Sequence, residues 1–139
     1  MKAVPYFKSP TQFEECPRVM VVEDHADTRF MLRTILERRG LSVVEAEDGE
    51  EAIRLAERDC PRLILMDMGL PRMDGLATTR RIRAHAALNQ VPIIFLSGHT
   101  SATHQMDARD AGCDEFLVKP IDIDQLYSAL KRHLEEKKV

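Results

Sequence analysis

Ionisable and hydroxyl side chains follow four of the five apolar, strand-length segments of the chain. They are Glu23, Asp24 and His25 after the first segment, Asp67 after the third, Ser97 after the fourth and Lys119 after the fifth. In a parallel sheet the carboxyl ends of the strands share one edge, so three carboxylates, a hydroxyl and an amine should converge there. Crowded carboxylates repel one another and take up protons unless a cation neutralises them. These residues therefore predict a cation-binding cleft.

The ligands available in this cleft are oxygen atoms, which predicts a hard metal ion. Mg²⁺ fits best, because it takes oxygen ligands octahedrally and is typically held by one or two carboxylates together with phosphate oxygens; Ca²⁺ fits less well. Phosphoryl transfer needs an in-line nucleophile, a metal that spreads charge, and fixed donors for the remaining oxygens. Asp67 can serve as the nucleophile, with Lys119 and Ser97 as donors. The set predicts an Mg²⁺-dependent phosphate acceptor at Asp67.

Five apolar runs alternate with helical patterns along the chain, and these elements must position the cleft. The runs are too apolar for half-exposed strands of an antiparallel sheet. The alternation predicts a parallel sheet covered by helices on both faces with right-handed crossovers, which is a doubly wound α/β domain. The runs are residues 18–22, 41–45, 63–66, 91–96 and 115–118.

Capping and stop signals place a helix after each run. The first helix is expected to carry Phe30, Met31, Ile35 and Leu36 on one face and to end at Gly40. The fourth offers few apolar groups for burial, so it is a candidate moving part. The later helices are expected at residues 49–60, 75–85 and 101–111 and from Asp122, which is placed as an N-cap.

Composition excludes several other classes of protein. The 139 residues suit one domain, and 44% hydrophobic with 31% charged residues is ordinary for a globular chain. A net charge of −3 without a basic stripe argues against direct nucleic-acid binding, and no apolar stretch approaches the ~18 residues of a membrane span. The three widely spaced cysteines are typical of reduced cytosolic thiols. A cytoplasmic protein without membrane insertion is expected.

Residues 1–17 differ from the rest, because they hold three prolines and no hydrophobic periodicity. They are predicted to form an irregular N-terminal arm before a single domain at residues 18–139. Met1 together with this arm favours a stand-alone chain, while a phosphorelay intermediate and a piece of a larger protein stay open as alternatives.

Four motifs occur in order along the chain: VMVVED, LILMDMGLPRMDG, the serine at the end of the fourth strand, and LVKP at the end of the fifth. Together they resemble the receiver domains of two-component response regulators, over about residues 18–134. The resemblance implies a CheY-like, flavodoxin-like (βα)₅ fold with strand order 2-1-3-4-5. In that family the proline at the position of Pro120 often follows a cis peptide bond, so the resemblance implies a cis bond before Pro120.

The resemblance also implies a role for each residue of the cleft. Asp67 would be phosphorylated, Lys119 would pair with the phosphoryl group and Ser97 would hydrogen-bond to it. Phe116 would be the aromatic residue that changes rotamer when Ser97 moves, with an ordinary core position as the alternative. Mg²⁺ would be held by Glu23, Asp24, Asp67 and the main-chain carbonyl of Gly69.

The implied function is a signalling switch and not an enzyme with an external substrate. A histidine kinase or histidine phosphotransfer protein would donate the phosphoryl group, which the receiver moves to its own aspartate and water later removes. Binding of a downstream effector would then change at the surface formed by the fourth helix, fifth strand and fifth helix. Homodimerisation through the fourth and fifth helices stays an open alternative.

Two other functions fit the sequence less well. A phosphatase of the haloacid dehalogenase type needs Asp-x-Asp after the first strand, and that motif is absent there. A flavodoxin-like cofactor binder needs a Gly-rich phosphate loop, and a non-phosphorylated pseudo-receiver should lack Asp67 or Lys119, which are both present. Gly69 and His99 stand where the family varies and tunes access of water, so the phosphate lifetime is not predicted. The five scattered histidines do not predict a zinc site.

Overall fold

The structure, a computed structural model, describes residues 19–98 and 101–134. The predicted arm at residues 1–17, and His99, lie outside the described residues. Strands and helices alternate strictly within them, as predicted. The strands are β1 (Val19–Val22), β2 (Val43–Ala46), β3 (Leu63–Asp67), β4 (Ile93–Ser97) and β5 (Glu115–Val118), and the helices are α1 (Ala26–Glu37), α2 (Gly49–Asp59), α3 (Gly75–Arg83), α4 (Ala102–Ala111) and α5 (Ile123–Leu134), with a 3₁₀ turn at Ala86–Leu88.

The five strands form one parallel sheet in the order β2-β1-β3-β4-β5, which confirms the predicted fold class and strand order. Val22 at the end of β1 lies opposite Met66, and Asp67 at the end of β3 lies opposite Leu96. The strands are therefore nearly in register, and their carboxyl ends form one edge. Burial on both faces holds for β1, β3 and β4 only, because β2 and β5 are the edge strands and are partly exposed.

Alternate side chains of each strand point into two separate cores. Met20 and Val22 of β1 face the core that α2, α3 and α4 cover, whereas Val19 and Val21 face the core under α1 and α5. Burial of these two apolar layers is the main favourable term that holds the helices on the sheet. None of the helices in the described part of the chain is long and apolar enough to cross a bilayer.

The structure confirms two of the four residues predicted to share the apolar face of α1, because Leu36 is buried and Ile35 packs against the same core. Leu32 and Leu36 are its buried residues, whereas Phe30 is 68% exposed and Met31 is 43% exposed. Residues four apart lie on one face of a helix, and the pair at 32 and 36 meets the sheet. The apolar arc of this helix is wider than the stripe that the sheet can cover, so Phe30 and Met31 stay in solvent.

Arg83 ties together four segments at the amino edge of the sheet. Its guanidinium donates to the carbonyl oxygen of Gly112 at 2.7 and 3.0 Å and to that of Val91 at 2.6 Å. It also donates to the carboxylate of Asp114 at 2.9 Å, and the same carboxylate oxygen accepts from the amide of Ile93. These bonds fix the carboxyl-terminal end of α4 to α3 and β4.

Alkylation of Cys113 at pH 8 is expected to be slow. Its thiol is half-buried against the core beneath α4, and burial, helped by the charge of Asp114, raises its pKa to about 11. The reactive thiolate is then roughly a thousandth of the population at pH 8. Timed iodoacetamide labelling with peptide mass spectrometry measures this, with the exposed Cys60 as the internal reference. Equal labelling rates at the two positions would contradict the expectation.

Candidate functional site

A cleft of about 520 Å³ opens at the carboxyl edge of the sheet. Asp67, Ser97 and Lys119, predicted from three different strand ends, all line it, together with Gly69, His25 and His104. A second cavity of about 530 Å³ lies elsewhere, between Cys60, Leu88 and Leu134, and none of its described lining residues is a carboxylate. The chemistry predicted from the sequence therefore belongs to the first cleft.

An ion pair between Asp67 and Lys119 occupies the floor of the cleft. Asp67 is the last residue of β3 and is only 5% exposed, and its Oδ1 accepts a hydrogen bond from Nζ of Lys119 at 3.0 Å. The same ammonium lies 3.4 Å from Oε1 of Glu23, which is fully buried. Burial alone would lower the pKa of Lys119, but its hydrogen bond to Asp67 and the charges of Asp67 and Glu23 outweigh that effect and raise it. Lys119 is thus a fixed cation facing Asp67.

Asp24 presents an unsatisfied oxygen beside Glu23. Its Oδ1 is buried and has no hydrogen-bond partner in the part of the chain that the structure describes, although it lies 3.4 Å from Nδ1 of His25. A buried carboxylate oxygen without a partner costs free energy, and a divalent cation would satisfy it. The residues present therefore fit the hard metal ion that the donor set predicts.

His25, which follows the acidic pair at the end of β1, contacts both of its carboxylates. Its main-chain amide and its ring Nδ1 each lie 3.1 Å from Oε2 of Glu23, while 74% of its side chain is exposed. The hydrogen bond to Glu23 and the charge of Asp24 raise the pKa of His25. The only sequence signal for this contact is that His25 directly follows the two acidic residues.

Ser97 and Phe116, the two predicted switch residues, occupy different environments. Ser97 ends β4, is buried, and lines the cleft; its carbonyl oxygen accepts from the amide of Lys119 at 2.7 Å. Phe116 lies opposite Phe95 in the next strand and packs against the core beneath α2, α3 and α4. It is not a lining residue of the cleft. The peptide bond between Lys119 and Pro120 is cis, as the resemblance implied.

The loop from β3 to α3 is folded tightly against the end of β3. The amide of Gly75 donates to the carbonyl oxygen of Met68 at 3.2 Å, and a Cβ placed on Gly75 would lie 2.8 Å from the carbonyl oxygen of Asp67. Arg72 adopts a left-handed conformation with φ 63° and pairs with Asp48, the N-cap of α2, at 2.7 Å. Gly75 therefore lets α3 begin directly beside the Asp67 backbone.

Known proteins that resemble this chain share the whole domain. A family model described as the response regulator receiver domain matches residues 19–131. The KDP operon transcriptional regulatory protein KdpE of Escherichia coli K12 is 40% identical over 119 residues, or 83% of this chain and 52% of that protein. The sensor protein GacS of Pseudomonas syringae is 36% identical over 120 residues, or 84% of this chain and 13% of that protein. The chain thus spans about half the length of such regulators or less.

Solved structures agree with the match by sequence. The receiver domain of the sensor histidine kinase PA1611 from Pseudomonas aeruginosa is 32% identical, covers 87% of this chain and 99% of that one, and superposes with a TM-score of 0.80. That structure has a magnesium ion coordinated in its active-site cleft. The chemotaxis protein CheY4 of Vibrio cholerae is 28% identical, covers 86% of this chain and all of that one, and has a TM-score of 0.81. The strand order, the residues at the strand ends and these matches show that this chain belongs to the response regulator receiver domain family.

Proposed function

We propose that Asp67 is the residue that accepts the phosphoryl group when this receiver acts in two-component signalling. The observation that carries the proposal is the pairing of a buried Asp67 carboxylate with the Lys119 ammonium at 3.0 Å in the cleft at the carboxyl edge of the sheet. The donor would be the phosphohistidine of a histidine kinase or of a histidine phosphotransfer protein. We place the switch in the cytoplasm, with residues 18–139 as one receiver domain after an N-terminal arm.

The chain's own residues divide the work of the transfer. An Asp67 carboxylate oxygen attacks phosphorus in line, a P–O bond forms, and the P–N bond of the donor phosphohistidine breaks as its imidazole takes up a proton. Lys119 then pairs with a phosphoryl oxygen in place of the carboxylate that it contacts in the unphosphorylated site, and the Ser97 hydroxyl donates to another. The product is an acyl phosphate, which water later hydrolyses. The receiver thus catalyses only its own phosphorylation and dephosphorylation.

A divalent cation belongs in this site on the chemistry of the donors. Glu23, Asp24 and Asp67, with the carbonyl oxygen of Gly69, would hold Mg²⁺, and the unsatisfied Oδ1 of Asp24 supports that assignment. The ion would neutralise charge that builds up on the phosphoryl oxygens during transfer. In this structure Oδ1 of Asp67 lies 3.0 Å from Nζ of Lys119. Among the described residues, Glu23, Asp24 and His25 are those whose possible ligand atoms lie within 4.8 Å of one another.

The signal would leave the cleft through Ser97 and Phe116. Movement of Ser97 toward the phosphoryl group would free space for Phe116 to change rotamer, and α4 would follow. The surface of α4, β5 and α5 carries three large exposed apolar side chains, Met106, Val118 and Ile123, which suit a contact with a downstream effector protein. A second copy of the chain is the alternative occupant of that surface.

Incubation with Mg²⁺ and acetyl phosphate, followed by intact mass measurement, tests the assignment of Asp67. We expect one phosphate adduct on the wild-type chain and none on Asp67→Asn, because an amide oxygen is a far weaker nucleophile than a carboxylate. Asp74→Asn is the matched control, since Asp74 caps α3 at the mouth of the same cleft. An adduct that persists in Asp67→Asn, or that forms equally in EDTA, would refute the proposal.

A further inference from the structure

The imidazole of His25 lies directly over the acidic pair that ends β1. Its Nδ1 is 3.1 Å from Oε2 of Glu23 and 3.4 Å from Oδ1 of Asp24. One of these oxygens belongs to a fully buried side chain, and the other is the buried atom without a hydrogen-bond partner. All three residues offer a ligand atom within 4.8 Å of the others. A nitrogen ligand is therefore already in place beside two carboxylate ligands.

The spacing of these atoms matches the edges of a metal coordination shell. Ligands about 2.1 Å from one ion lie roughly 3.0 Å apart at an octahedral edge and roughly 3.4 Å apart at a tetrahedral edge. The two distances from the imidazole nitrogen, 3.1 and 3.4 Å, fall in that interval. The ligand atoms of all three side chains lie within 4.8 Å of one another, so rotation of the exposed His25 ring is the main adjustment that binding of one ion by all three requires.

Glu23 is held so that one of its oxygens faces this position. Its Oε2 accepts from the main-chain amide of His25 at 3.1 Å, and its Oε1 lies 3.4 Å from the ammonium of Lys119. A carboxylate oxygen keeps a further lone pair after accepting one hydrogen bond, so Oε2 can still bind a cation. The His25 ring, in contrast, is mostly exposed and can turn without disturbing the core.

A set of two carboxylates and one imidazole selects a different ion from a set of carboxylates alone. Mg²⁺ prefers oxygen and retains water, whereas Ni²⁺ and its neighbours in the first transition row bind imidazole nitrogen strongly. We propose that His25 is a ligand of the divalent-cation site in this receiver and shifts the selectivity of that site from Mg²⁺ toward transition-metal ions such as Ni²⁺. The inference rests on the proposed function, since it places the cation at Glu23 and Asp24.

Transition-metal binding at this place would compete with the Mg²⁺ that phosphorylation uses. The cation needs the lone pair of Nδ1, so the ring binds as the neutral tautomer with its proton on Nε2. In place of the hydrogen bond between them, Nδ1 of His25 and Oε2 of Glu23 would each bind the same ion. Occupancy of the cleft would then respond to the concentration of transition metals as well as to phosphodonors.

Calorimetric titration of the full chain with NiCl₂, and separately with MgCl₂, tests His25 without any phosphodonor. In His25→Ala we expect Ni²⁺ affinity at the cleft to fall by about tenfold or more and Mg²⁺ affinity to change by less than about threefold. The matched control is His85→Ala, because His85 is a half-exposed histidine that also contacts a glutamate, Glu57, at 2.5 Å. That control should leave both affinities at the cleft unchanged.

A spectroscopic measurement locates the nitrogen ligand independently of affinity. Zn²⁺ is diamagnetic, and its binding should shift the Nδ1 resonance of His25 in ¹⁵N-labelled protein and leave the His85 resonances in place. Unchanged Ni²⁺ affinity in His25→Ala, or an equal loss of Ni²⁺ and Mg²⁺ affinity, would overturn the inference, the second because His25 would then only orient Glu23. If Asp24→Asn binds both ions as the wild type does, the proposed cation site itself fails.

Discussion

Replacing Lys119 by methionine is expected to destabilise the metal-free protein by about 2–3 kcal/mol. The substitution keeps an unbranched side chain that is one atom shorter, and it leaves the Asp67 and Glu23 carboxylates, which are almost completely buried, without their cation. The loss stays below that of a fully enclosed ion pair, because 30% of the Lys119 side chain is exposed. Urea denaturation in EDTA measures it. Millimolar Mg²⁺ should narrow the difference from wild type, because carboxylates that lack the Lys119 charge bind a cation more tightly and the variant therefore gains more stability from it.

The pH dependence of this contribution follows from the direction of the pKa shift. The pKa of Lys119 is raised in the folded protein, because its hydrogen bond to Asp67 and the two carboxylate charges outweigh burial, the largest single influence, which acts to lower it. Its contribution is therefore complete below the unfolded value of about 10.4 and is lost as pH rises through the higher folded value. The stability difference between wild type and Lys119→Met should be constant near neutral pH and shrink above about pH 10.

The matched control for this experiment is Lys131→Met, because Lys131 is an exposed lysine of α5. Its replacement should change the free energy of unfolding by less than about 0.5 kcal/mol. Equal stability of the two variants in EDTA would show that Lys119 does not compensate the buried carboxylates. A loss in Lys119→Met that Mg²⁺ leaves unchanged would indicate a packing defect and not an electrostatic one.

Gly75→Ala is expected to cost about 1–3 kcal/mol and to slow phosphorylation of Asp67. The added methyl carbon would lie 2.8 Å from the carbonyl oxygen of Asp67 and 3.0 Å from Cα of Met68. Both are backbone atoms, so neither can rotate away, and relief requires the start of α3 to move off the end of β3. That movement displaces the carboxylate from the position in which Lys119 contacts it. Thermal unfolding and the rate of acetyl phosphate labelling measure the two effects.

Gly98→Ala is the matched control for stability. Gly98 follows Ser97 at the next strand end, and a Cβ placed on it would meet nothing within 4 Å. Its free energy of unfolding should stay within about 0.5 kcal/mol of wild type. If Gly75→Ala proves equally mild, the close approach of α3 to the Asp67 backbone is not the constraint that the distances indicate.

The strand ends could be predicted from the sequence because apolar runs and the polar residues that follow them are local patterns. Five apolar strands that alternate with helices favour a parallel sheet. The carboxyl edge of such a sheet brings Asp67, Ser97 and Lys119 into one cleft. Helix starts were also predictable, since Asp48, Asp74 and Asp122 each accept amide hydrogen bonds as N-caps. These signals lie within four residues of the feature they specify.

Contacts between distant segments could not be predicted in the same way. Arg83 and Gly112 are 29 positions apart, and nothing local to either residue indicates that the guanidinium reaches that carbonyl oxygen. The exposed Phe30 has the same origin, because the width of sheet available to α1 depends on how the strands pack and not on the helix pattern. The sequence places His25 beside the acidic pair at the end of the first strand, but only the folded backbone shows that its Nδ1 lies 3.1 Å from Oε2 of Glu23.

Helix α4 is anchored more strongly at its carboxyl-terminal end than at its amino-terminal end. Its buried residues, Ala108 and Ala111, lie in the last turn, next to the carbonyl oxygen that Arg83 holds, whereas Ala102 and Thr103 at the other end are exposed. A helix that is held at its carboxyl-terminal end can rotate about that end as a rigid body, so a small displacement near its amino-terminal end changes its direction. The amino-terminal end of α4 lies beside Ser97 and the cleft. We therefore expect α4 to rotate about Gly112, with amide hydrogen exchange fastest in its first turn and slowest beside Arg83.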